Sequence, residues 1–344
     1  MKRIVITGHG GNEVVSLIDS PKPQRLPGHV LVRMEVATLN RVDLYMRNSG
    51  AGITHSLPQT MGLDGAGVVE ELDPGETAFT VGQRVTLYAG VQCGRCEFCQ
   101  RGEGVLCTKI QYMGEHRDGM LAQWLSAPVQ NVFAIPEGMS FTDAAALGVN
   151  HLTAWRMLFG KARVQAGESV LIFGIGGGVS LAALQLAKLA GLRTYVTSRS
   201  ADKLARAQAL GADYVINSQE QDVAKAVLAA TGGRGVDVVI ENIGGDSWAQ
   251  AMRSLVRGGR LVTCGATAGD QPPADLRRIF IRQLQIMGST LGDLDEFRAL
   301  IAFAHQHGLR PVVDSVYAME NIHAALDRLE AGEQFGKVVV TLRD

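Results

Sequence analysis

The sequence of 344 residues has no apolar run long enough to cross a membrane and no long block of charge of one sign. Its longest apolar stretch, VSLAALQLAKLAGL, is interrupted by Lys188 and falls short of the roughly 18 residues that a span needs. With 33 basic and 34 acidic residues, the formal charge is -1, which argues against nucleic acid or an anionic membrane as the main partner. We therefore expect a soluble globular protein that acts on a small molecule.

The chain start also lacks the features of an export signal. The opening residues, MKRIVITGHGG, alternate as a strand does, with no basic patch, apolar core and small-residue cleavage site in succession. A cytosolic location is the expectation from this stretch.

Two patterns divide the chain, whose 46% apolar content is enough to fill a core in each of about two domains. Up to about Val149, short apolar runs such as HVLVRMEVATLN alternate with glycine and proline, which indicates a β-rich domain. From about His151 to Thr290, strands such as SVLIFGI alternate with helices, among them one predicted over SWAQAMRSLVRGG before the strand RLVTCGAT. Such alternation predicts a parallel sheet covered by helices on both faces.

The last part of the chain contains two predicted helices, LDEFRALIAFAHQHG and MENIHAALDRLEAG, and a closing strand, KVVVTLR. We expect this part to return to the first domain. The predicted organisation is a β-rich domain over 1–150, a dinucleotide-binding domain over 151–290, and a completing segment over 291–344.

A glycine turn between a buried strand and a helix predicts a dinucleotide site. In VLIFGIGGGVSLAALQLAK a strict G-x-G-x-x-G is broken, because counting from Gly174 places Val179 last. The remaining glycines, Gly174, Gly177 and Gly178, still let the backbone approach a pyrophosphate at the helix N-terminus. A glycine-rich turn with no ligand is the alternative.

The end of the next strand bears on the choice of cofactor. An NAD site normally presents an acidic residue there, but the sequence has Ser198 and Arg199, followed by Lys203. A hydroxyl and two cations suit the 2′-phosphate of NADP(H), although they could also be ordinary surface residues. Further along, strand ends place Asn242 and the pair Gly265 and Ala266 where ligands of open parallel sheets collect.

Four of the five cysteines lie in one loop, CGRCEFCQRGEGVLC, with the spacing C-x2-C-x2-C-x7-C. A short loop with this spacing can wrap Cys93, Cys96, Cys99 and Cys107 around one metal ion, and zinc is expected, with an iron–sulfur centre or free thiols as alternatives. Four protein ligands leave no open position for substrate, so this metal is predicted to be structural. The fifth, Cys264, lies in an apolar strand and is expected to be a buried, unreactive thiol.

These segments together resemble the medium-chain dehydrogenase/reductase superfamily, which includes zinc alcohol dehydrogenases and quinone oxidoreductases. The resemblance covers essentially the whole chain, from HVLVRMEVATLNRVDLYMR through GLDGAGVV, the cysteine loop and GEHRDGMLAQW to FGKVVVTL. It implies an α/β fold with a GroES-like catalytic domain and a Rossmann domain, an active site in the cleft between them, and homodimers or homotetramers. It also implies that Lys337 reaches the cofactor, although a solvated strand end is the alternative.

The resemblance fails at the catalytic zinc. Alcohol dehydrogenases of this superfamily place a cysteine, a histidine followed by glutamate, and a cysteine or aspartate where this chain has Asn40, Leu63 with Asp64, and about Val149. Asparagine, leucine and valine cannot replace thiolate and imidazole ligands. The catalytic zinc is therefore predicted to be absent while the structural zinc loop is kept.

Without that metal, hydrogen-bond donors must activate the substrate. The segment LNRVDLY resembles the N-x-x-D segment of quinone oxidoreductases, so Asn40 could donate an amide hydrogen and Tyr45 a phenolic proton. Asn40 could instead cap a helix, and Tyr45 could face the core. Asp64 is expected to brace its turn or meet a cation rather than act as a base.

Two histidines complete the candidate set. His116 and His151 could donate a proton, with a hydrogen-bonded structural role as the alternative for each. The resulting hypothesis is an NADPH-dependent reductase of conjugated carbonyls or quinones. The alternatives are a zinc-dependent alcohol dehydrogenase and a non-catalytic NADPH-binding protein.

Overall fold

The computed structural model describes residues 1–343, and the chain folds into two compact units. The first unit comprises Met1–Leu152 and Gly292–Asp344, and the second comprises Thr153–Leu291. In the part of the chain described, no helix is both long enough and apolar enough to cross a bilayer.

The strands, in chain order, are β1 (Lys2–Ile6), β2 (Val15–Asp19), β3 (His29–Leu39), β4 (Gln59–Thr60), β5 (Asp64–Glu71), β6 (Arg84–Leu87), β7 (Gly90–Val91), β8 (Gln111–Tyr112), β9 (Trp124–Pro128), β10 (Val132–Ala134), β11 (Ser169–Ile172), β12 (Arg193–Ser198), β13 (Tyr214–Asn217), β14 (Val236–Glu241), β15 (Leu255–Thr263), β16 (Gln285–Gly288), β17 (Val313–Ala318) and β18 (Lys337–Thr341). The helices are α1 (Arg41–Ser49), α2 (Glu97–Gln100), α3 (Phe141–Ala146), α4 (Leu152–Trp155), α5 (Gly178–Leu189), α6 (Ala201–Ala209), α7 (Val223–Ala230), α8 (Ser247–Ser254), α9 (Leu276–Arg282), α10 (Leu294–His307) and α11 (Ile322–Ala331).

The first unit is built on a seven-stranded sheet in the order β10-β6-β5-β3-β18-β17, with β9 also paired to β3. Its apolar core collects alternating residues of these strands and one face of α11. The C-terminal strand β18 runs antiparallel to β3, so that Val338 lies opposite Leu39. This pairing inserts the end of the chain into the sheet formed by its beginning.

The second unit is a six-stranded parallel sheet in the order β13-β12-β11-β14-β15-β16. Its central strands are buried and rich in valine and isoleucine, as expected where helices cover both faces of a parallel sheet. The predicted α/β class, with a GroES-like β-rich domain and a Rossmann domain, is confirmed.

One predicted element boundary was wrong. The helix predicted over SWAQAMRSLVRGG ends at Ser254, and strand β15 already begins at Leu255. Burial of Leu255 and Leu261 within the sheet outweighs the helical propensity of the preceding residues.

Candidate functional site

Strand register in the first unit brings four polar side chains together, although the sequence separates Asp64 from Lys337 by 273 positions. β3 ends at Leu39, beside the first residue of β5 on one side and that of β18 on the other. Thr38 lies opposite Asp64, and Lys337 immediately precedes the pair formed by Val338 and Leu39. We call Thr38, Asn40, Asp64 and Lys337 the Asp64 cluster.

The two oxygens of the Asp64 carboxylate accept four hydrogen bonds, which uses nearly all of their accepting capacity. Its Oδ2 accepts hydrogen bonds from Thr38 Oγ1 at 3.0 Å, Asn40 Nδ2 at 2.9 Å and Lys337 Nζ at 2.9 Å. Its Oδ1 accepts the backbone N–H of Val149 at 2.7 Å. Asp64 is only 1% exposed, so these bonds replace water as the solvent of its charge.

Lys337 is a buried member of this cluster and not a solvated strand end, since it is only 2% exposed. Its three ammonium hydrogens go to Asp64, to Asn40 Oδ1 at 2.8 Å and to the backbone oxygen of Leu39 at 3.2 Å. An ammonium has three donors and no acceptor, so the hydrogen-bonding capacity of Lys337 is used within the first unit. Whether Lys337 also reaches the cofactor, as the resemblance implies, stays a prediction.

The positions that correspond to the alcohol dehydrogenase zinc ligands form the walls of this cluster. Leu63 is buried in the apolar core, and Val149 contributes its backbone N–H. The neighbouring Gly148 lies so close that a Cβ there would be 2.1 Å from Asp64 Oδ1. Backbone therefore contacts this carboxylate on the side of Val149, where a relative would present a side-chain ligand.

Asn40 occupies the N-cap position of α1, but its side chain serves the cluster. Its amide group bonds to Asp64 and Lys337, while its backbone N–H donates to Asp43 Oδ2 at 2.7 Å. The carboxylate of Asp43 also accepts the N–H of Gly62 at 3.2 Å. Asp43 thus ties the start of α1 to the turn that precedes Asp64.

Two buried carboxyl groups near this turn were not among the predicted site residues. Burial raises the pKa of Asp43 to about 7, although the hydrogen bond from Asn40 lowers it in part. Burial, and then the charge of Asp43, raise the pKa of Glu115 to about 7. The N-x-x-D spacing from Asn40 could have revealed Asp43 as half of a capping box, whereas no local pattern marks Glu115.

These raised pKa values predict that stability falls as the pH rises from about 4 to about 7 and then levels off. Because the folded state holds protons on these groups that the unfolded state has lost above about pH 4, raising the pH favours unfolding. Glu115→Gln is expected to stabilise the protein at pH 8.5 by about 1–2 kcal/mol and by less at pH 6. Thermal unfolding of both proteins across this range measures the difference.

The matched control is Glu137→Gln, which changes an exposed glutamate in the same unit. Its melting temperature should differ from that of the native protein by the same small amount at every pH. A Glu115→Gln difference that did not grow with pH would show that this carboxyl group stays charged in the folded protein.

The remaining catalytic candidates of the first unit differ in exposure. Tyr45 is 40% exposed on α1 rather than facing the core, and burial of its remaining surface raises the pKa of its phenol. His116 is partly buried, accepts the N–H of Tyr112 at 3.1 Å on Nδ1, and has its pKa lowered by burial and then by His55. His151 is buried and donates from Nδ1 to the backbone oxygen of Ala146 at 3.2 Å. Tyr45 and His116 therefore keep surface that a ligand could contact.

The glycine turn of the second unit has the geometry of a phosphate cradle. Gly174 and Gly176 have φ values of 69° and 114°, which residues with a Cβ rarely adopt. Gly177 is the N-cap of α5, and Gly178 and Val179 begin that helix, whose 12 residues give it a full dipole. The first backbone N–H groups of α5 can therefore receive an anionic group.

The predicted 2′-phosphate residues lie at the end of β12, next to this turn. Ser198 is the last residue of the strand, and its hydroxyl accepts the N–H of Ser200 at 3.1 Å. Arg199 is exposed, and the side chain of Lys203 lies against Gly176, where a Cβ would be 2.7 Å from its Cδ. Cationic groups therefore border the glycine turn.

The two other predicted cofactor segments lie at the carboxyl ends of neighbouring strands. Asn242 follows β14 and donates from Nδ2 to Ser180 Oγ at 3.2 Å, so it is tied to α5. Gly265 and Ala266 follow β15 and are exposed. A Cβ on Gly265 would lie 3.1 Å from the backbone oxygen of Asn242, which shows how closely the two segments approach.

The four clustered cysteines fit a tetrahedral metal site. The Sγ atoms of Cys93, Cys96, Cys99 and Cys107 all lie within 4.8 Å of one another. Two of these distances, 3.5 Å for Cys96–Cys99 and 4.0 Å for Cys93–Cys99, bracket the about 3.8 Å that tetrahedral Zn–S bonds of about 2.3 Å require. Among residues 1–343, these four are the one group of three or more potential ligands close enough to share an ion.

Cys264, the fifth cysteine, belongs to the second unit and directly follows β15. Burial, and then the nearby Glu241, raise the pKa of its thiol to about 12. A thiol that keeps its proton is a poor nucleophile and metal ligand, as expected of an unreactive residue. The expected full burial within the strand was wrong, because Cys264 follows the last residue of β15 and is half-buried.

Comparisons with known proteins cover both units. The family model of the alcohol dehydrogenase GroES-like domain matches residues 26–137, and that of zinc-binding dehydrogenases matches residues 178–306. An alcohol dehydrogenase of Geobacillus stearothermophilus is 32% identical over 93% of this chain and 94% of its own length. A quinone oxidoreductase of Rattus norvegicus is 29% identical over 99% of this chain and 98% of its own.

A solved structure extends the similarity to three dimensions. The crystal structure of an NAD-dependent alcohol dehydrogenase superposes with a TM-score of 0.96 at 38% identity, and each chain is covered to 100%. The matched proteins thus include both alcohol dehydrogenases and quinone oxidoreductases, the two groups that the sequence resembles.

Proposed function

This chain belongs to the medium-chain dehydrogenase/reductase superfamily, and we propose that it is a reductase that uses NADP(H) to reduce a conjugated carbonyl or a quinone without a catalytic zinc ion. The Asp64 cluster is the observation that carries this proposal. Where zinc-dependent relatives need a set of free ligands, this chain has one carboxylate that already accepts four hydrogen bonds.

The charge of the cluster supports the absence of a catalytic metal. A zinc site needs deprotonated ligands with free lone pairs, whereas Asp64 Oδ2 is engaged by three donors and paired with an ammonium. Lys337 supplies the positive charge that balances this carboxylate. A divalent ion would have to displace Lys337, and the cluster would then offer it only Thr38, Asn40 and Asp64 as side-chain ligands.

The second unit fits the cofactor. When bound, NADPH supplies the hydride that reduces the substrate. The glycine turn from Gly174 to Gly178 would receive the pyrophosphate, and Ser198, Arg199 and Lys203 would hold the 2′-phosphate.

The first unit would supply the proton. Asn40 has a second amide hydrogen beyond the one that it donates to Asp64, and burial raises the pKa of the Tyr45 phenol, which favours its protonated form. His116 is only partly buried and bonds to Tyr112 through Nδ1. Tyr45 has the larger exposed surface and is our first choice as the donor.

A substrate panel tests this proposal. Purified protein with NADPH should reduce enones or quinones faster than saturated aldehydes, and metal analysis should find one zinc per chain. Activity on saturated aldehydes and alcohols alone, with two zinc ions per chain, would contradict it. Tight NADPH binding without turnover on any compound would instead indicate a non-catalytic binding protein.

A zinc-dependent alcohol dehydrogenase remains the second candidate, since the relatives at 32% and 38% identity are named as alcohol dehydrogenases. It would require zinc ligands other than Asn40, Leu63 and Val149. The metal count separates the two candidates without reference to any substrate.

Coenzyme preference gives a separate prediction. Arg199→Ala is expected to lower kcat/KM for NADPH by about tenfold, since a charge-assisted hydrogen bond contributes about 1.5–3 kcal/mol, and to leave kcat/KM for NADH unchanged. The measurement is the ratio of the two constants in the native and variant proteins. A native protein that prefers NADH would contradict this assignment; the relative of known structure is named as NAD-dependent.

We also expect the chain to form a homodimer through the edge of the second unit. β16 is the outer strand of its sheet, and the preceding helix α9 exposes Leu276 at 69% and Phe280 at 68%. Light scattering should give twice the chain mass of 36.7 kDa, and Phe280→Glu should shift the mass towards one chain. A native mass of one chain would refute the expectation.

A further inference from the structure

A buried glutamate, Glu241, organises the loop after β14 in the second unit. It is the last residue of that strand, and its side chain is completely buried. One carboxylate oxygen, Oε1, accepts the N–H groups of Ile243 at 2.8 Å and Gly244 at 2.9 Å. The same oxygen lies 2.7 Å from Ser247 Oγ at the start of α8. Three donors thus converge on a single atom.

The loop held in this way is one side of the proposed cofactor site. Asn242 bonds to Ser180 on α5, and Ile243 approaches Gly174, where a Cβ would lie 3.0 Å from its Cδ1. The loop also fixes the segment after β15, because Gly245 donates to the oxygen of Gly269 at 3.0 Å and Ala268 to that of Ile243 at 2.7 Å. One carboxylate therefore connects the two loops that follow the carboxyl ends of β14 and β15.

The packing of these loops leaves little tolerance. Gly244 has a φ of 72°, and a Cβ there would lie 2.1 Å from the oxygen of Gly269. The second carboxylate oxygen of Glu241, Oε2, is buried and has no partner among residues 1–343. A buried oxygen without a partner is costly, which indicates that the charge-assisted bonds at Oε1 outweigh that cost.

We propose that Glu241 is a positioning residue for the nicotinamide half of the cofactor, acting through the loop from Asn242 to Gly245. The inference rests on the proposed use of a dinucleotide and assigns no contact between Glu241 and the cofactor. It predicts that weakening the carboxylate affects binding of the nicotinamide end and spares that of the adenine end, whose 2′-phosphate the end of β12 would hold.

Glu241→Gln tests the proposal. The amide keeps the size of the side chain but removes its charge. Its NH₂ group must take either the position of Oε1, where it would face three donors, or the buried position of Oε2. Fluorescence titration should show about tenfold weaker binding of NADPH. Calorimetry with 2′,5′-ADP, which lacks the nicotinamide half, should show an affinity unchanged within about twofold.

Ser247→Ala removes one donor to Glu241 and leaves the carboxylate intact. It should weaken NADPH binding by less than Glu241→Gln does and leave 2′,5′-ADP binding unchanged.

The controls separate positioning from general destabilisation. Glu220→Gln changes an exposed glutamate of the same unit and should leave both affinities unchanged. Equal weakening of NADPH and 2′,5′-ADP, or unchanged NADPH binding in both variants, would overturn the proposal. The titrations need no turnover and are run in parallel with NADH and ADP, so a wrong substrate class or coenzyme would be recognised separately.

Discussion

Lys337→Met is expected to destabilise the first unit by about 3–5 kcal/mol, the usual cost of leaving one partner of a buried ion pair uncompensated. Methionine matches the length of the lysine stem, so the packing of β18 changes little. The Asp64 carboxylate would lose one of its four donors and the one full positive charge beside it. Chemical denaturation measures the loss, and reduction of the substrate should fall by at least about tenfold because Asn40 loses its partner too.

Two comparisons make this prediction specific. Lys22→Met removes a lysine that pairs with Glu70 at 2.9 Å in a half-exposed position, and should cost less than about 1 kcal/mol. Combining Lys337→Met with Asp64→Asn removes both charges and should recover part of the lost stability. A single Lys337→Met variant as stable as the native protein would show that Asp64 does not need the ammonium.

The fold could be predicted because its signals are local. The strand and helix periods of the second unit and the glycine turn at Gly174 lie within short windows, and each keeps its meaning without knowledge of the rest of the chain. The prediction was less accurate where a helix passes directly into a strand. The helix predicted to continue to Gly259 ends at Ser254.

The Asp64 cluster could be predicted only in part, because its geometry depends on strand register. The missing zinc ligands at Asn40, Leu63 and Val149 were visible as residue types, but nothing in FGKVVVTL shows that Val338 pairs with Leu39 and thereby brings Lys337 next to Asn40. That neighbourhood follows from antiparallel pairing between the two ends of the chain. A slip of one residue would turn Lys337 to the other face of the sheet.

Glu115 shows the same limit for electrostatics. Its raised pKa arises from burial near Asp43, a residue more than seventy positions away in the sequence, so neither composition nor spacing could indicate it. Asp43 itself belongs to a short local motif and was visible in the quoted segment LNRVDLY, although only as part of a resemblance. Burial and distant charges are properties of the fold, and the sequence alone does not display them.

Loss of the structural metal is the second change with a large expected effect. If zinc binds the four cysteines, Cys96→Ser should lower the zinc content from one per chain towards zero, because a hydroxyl is a far weaker zinc ligand than a thiolate.

Loss of the metal should also loosen the cysteine loop, residues 93–107. Structural zinc contributes an apparent binding free energy of about 10–16 kcal/mol in small domains, and this loop has little else to order it. Three of its cysteines are only half-buried, and its helix α2 spans only Glu97–Gln100. Hydrogen exchange should therefore accelerate over residues 93–107 while the second unit keeps its protection. Cys264→Ser, which alters the cysteine of the second unit, should leave both zinc content and exchange unchanged. Equal protection of residues 93–107 with and without zinc would contradict a structural role for the metal.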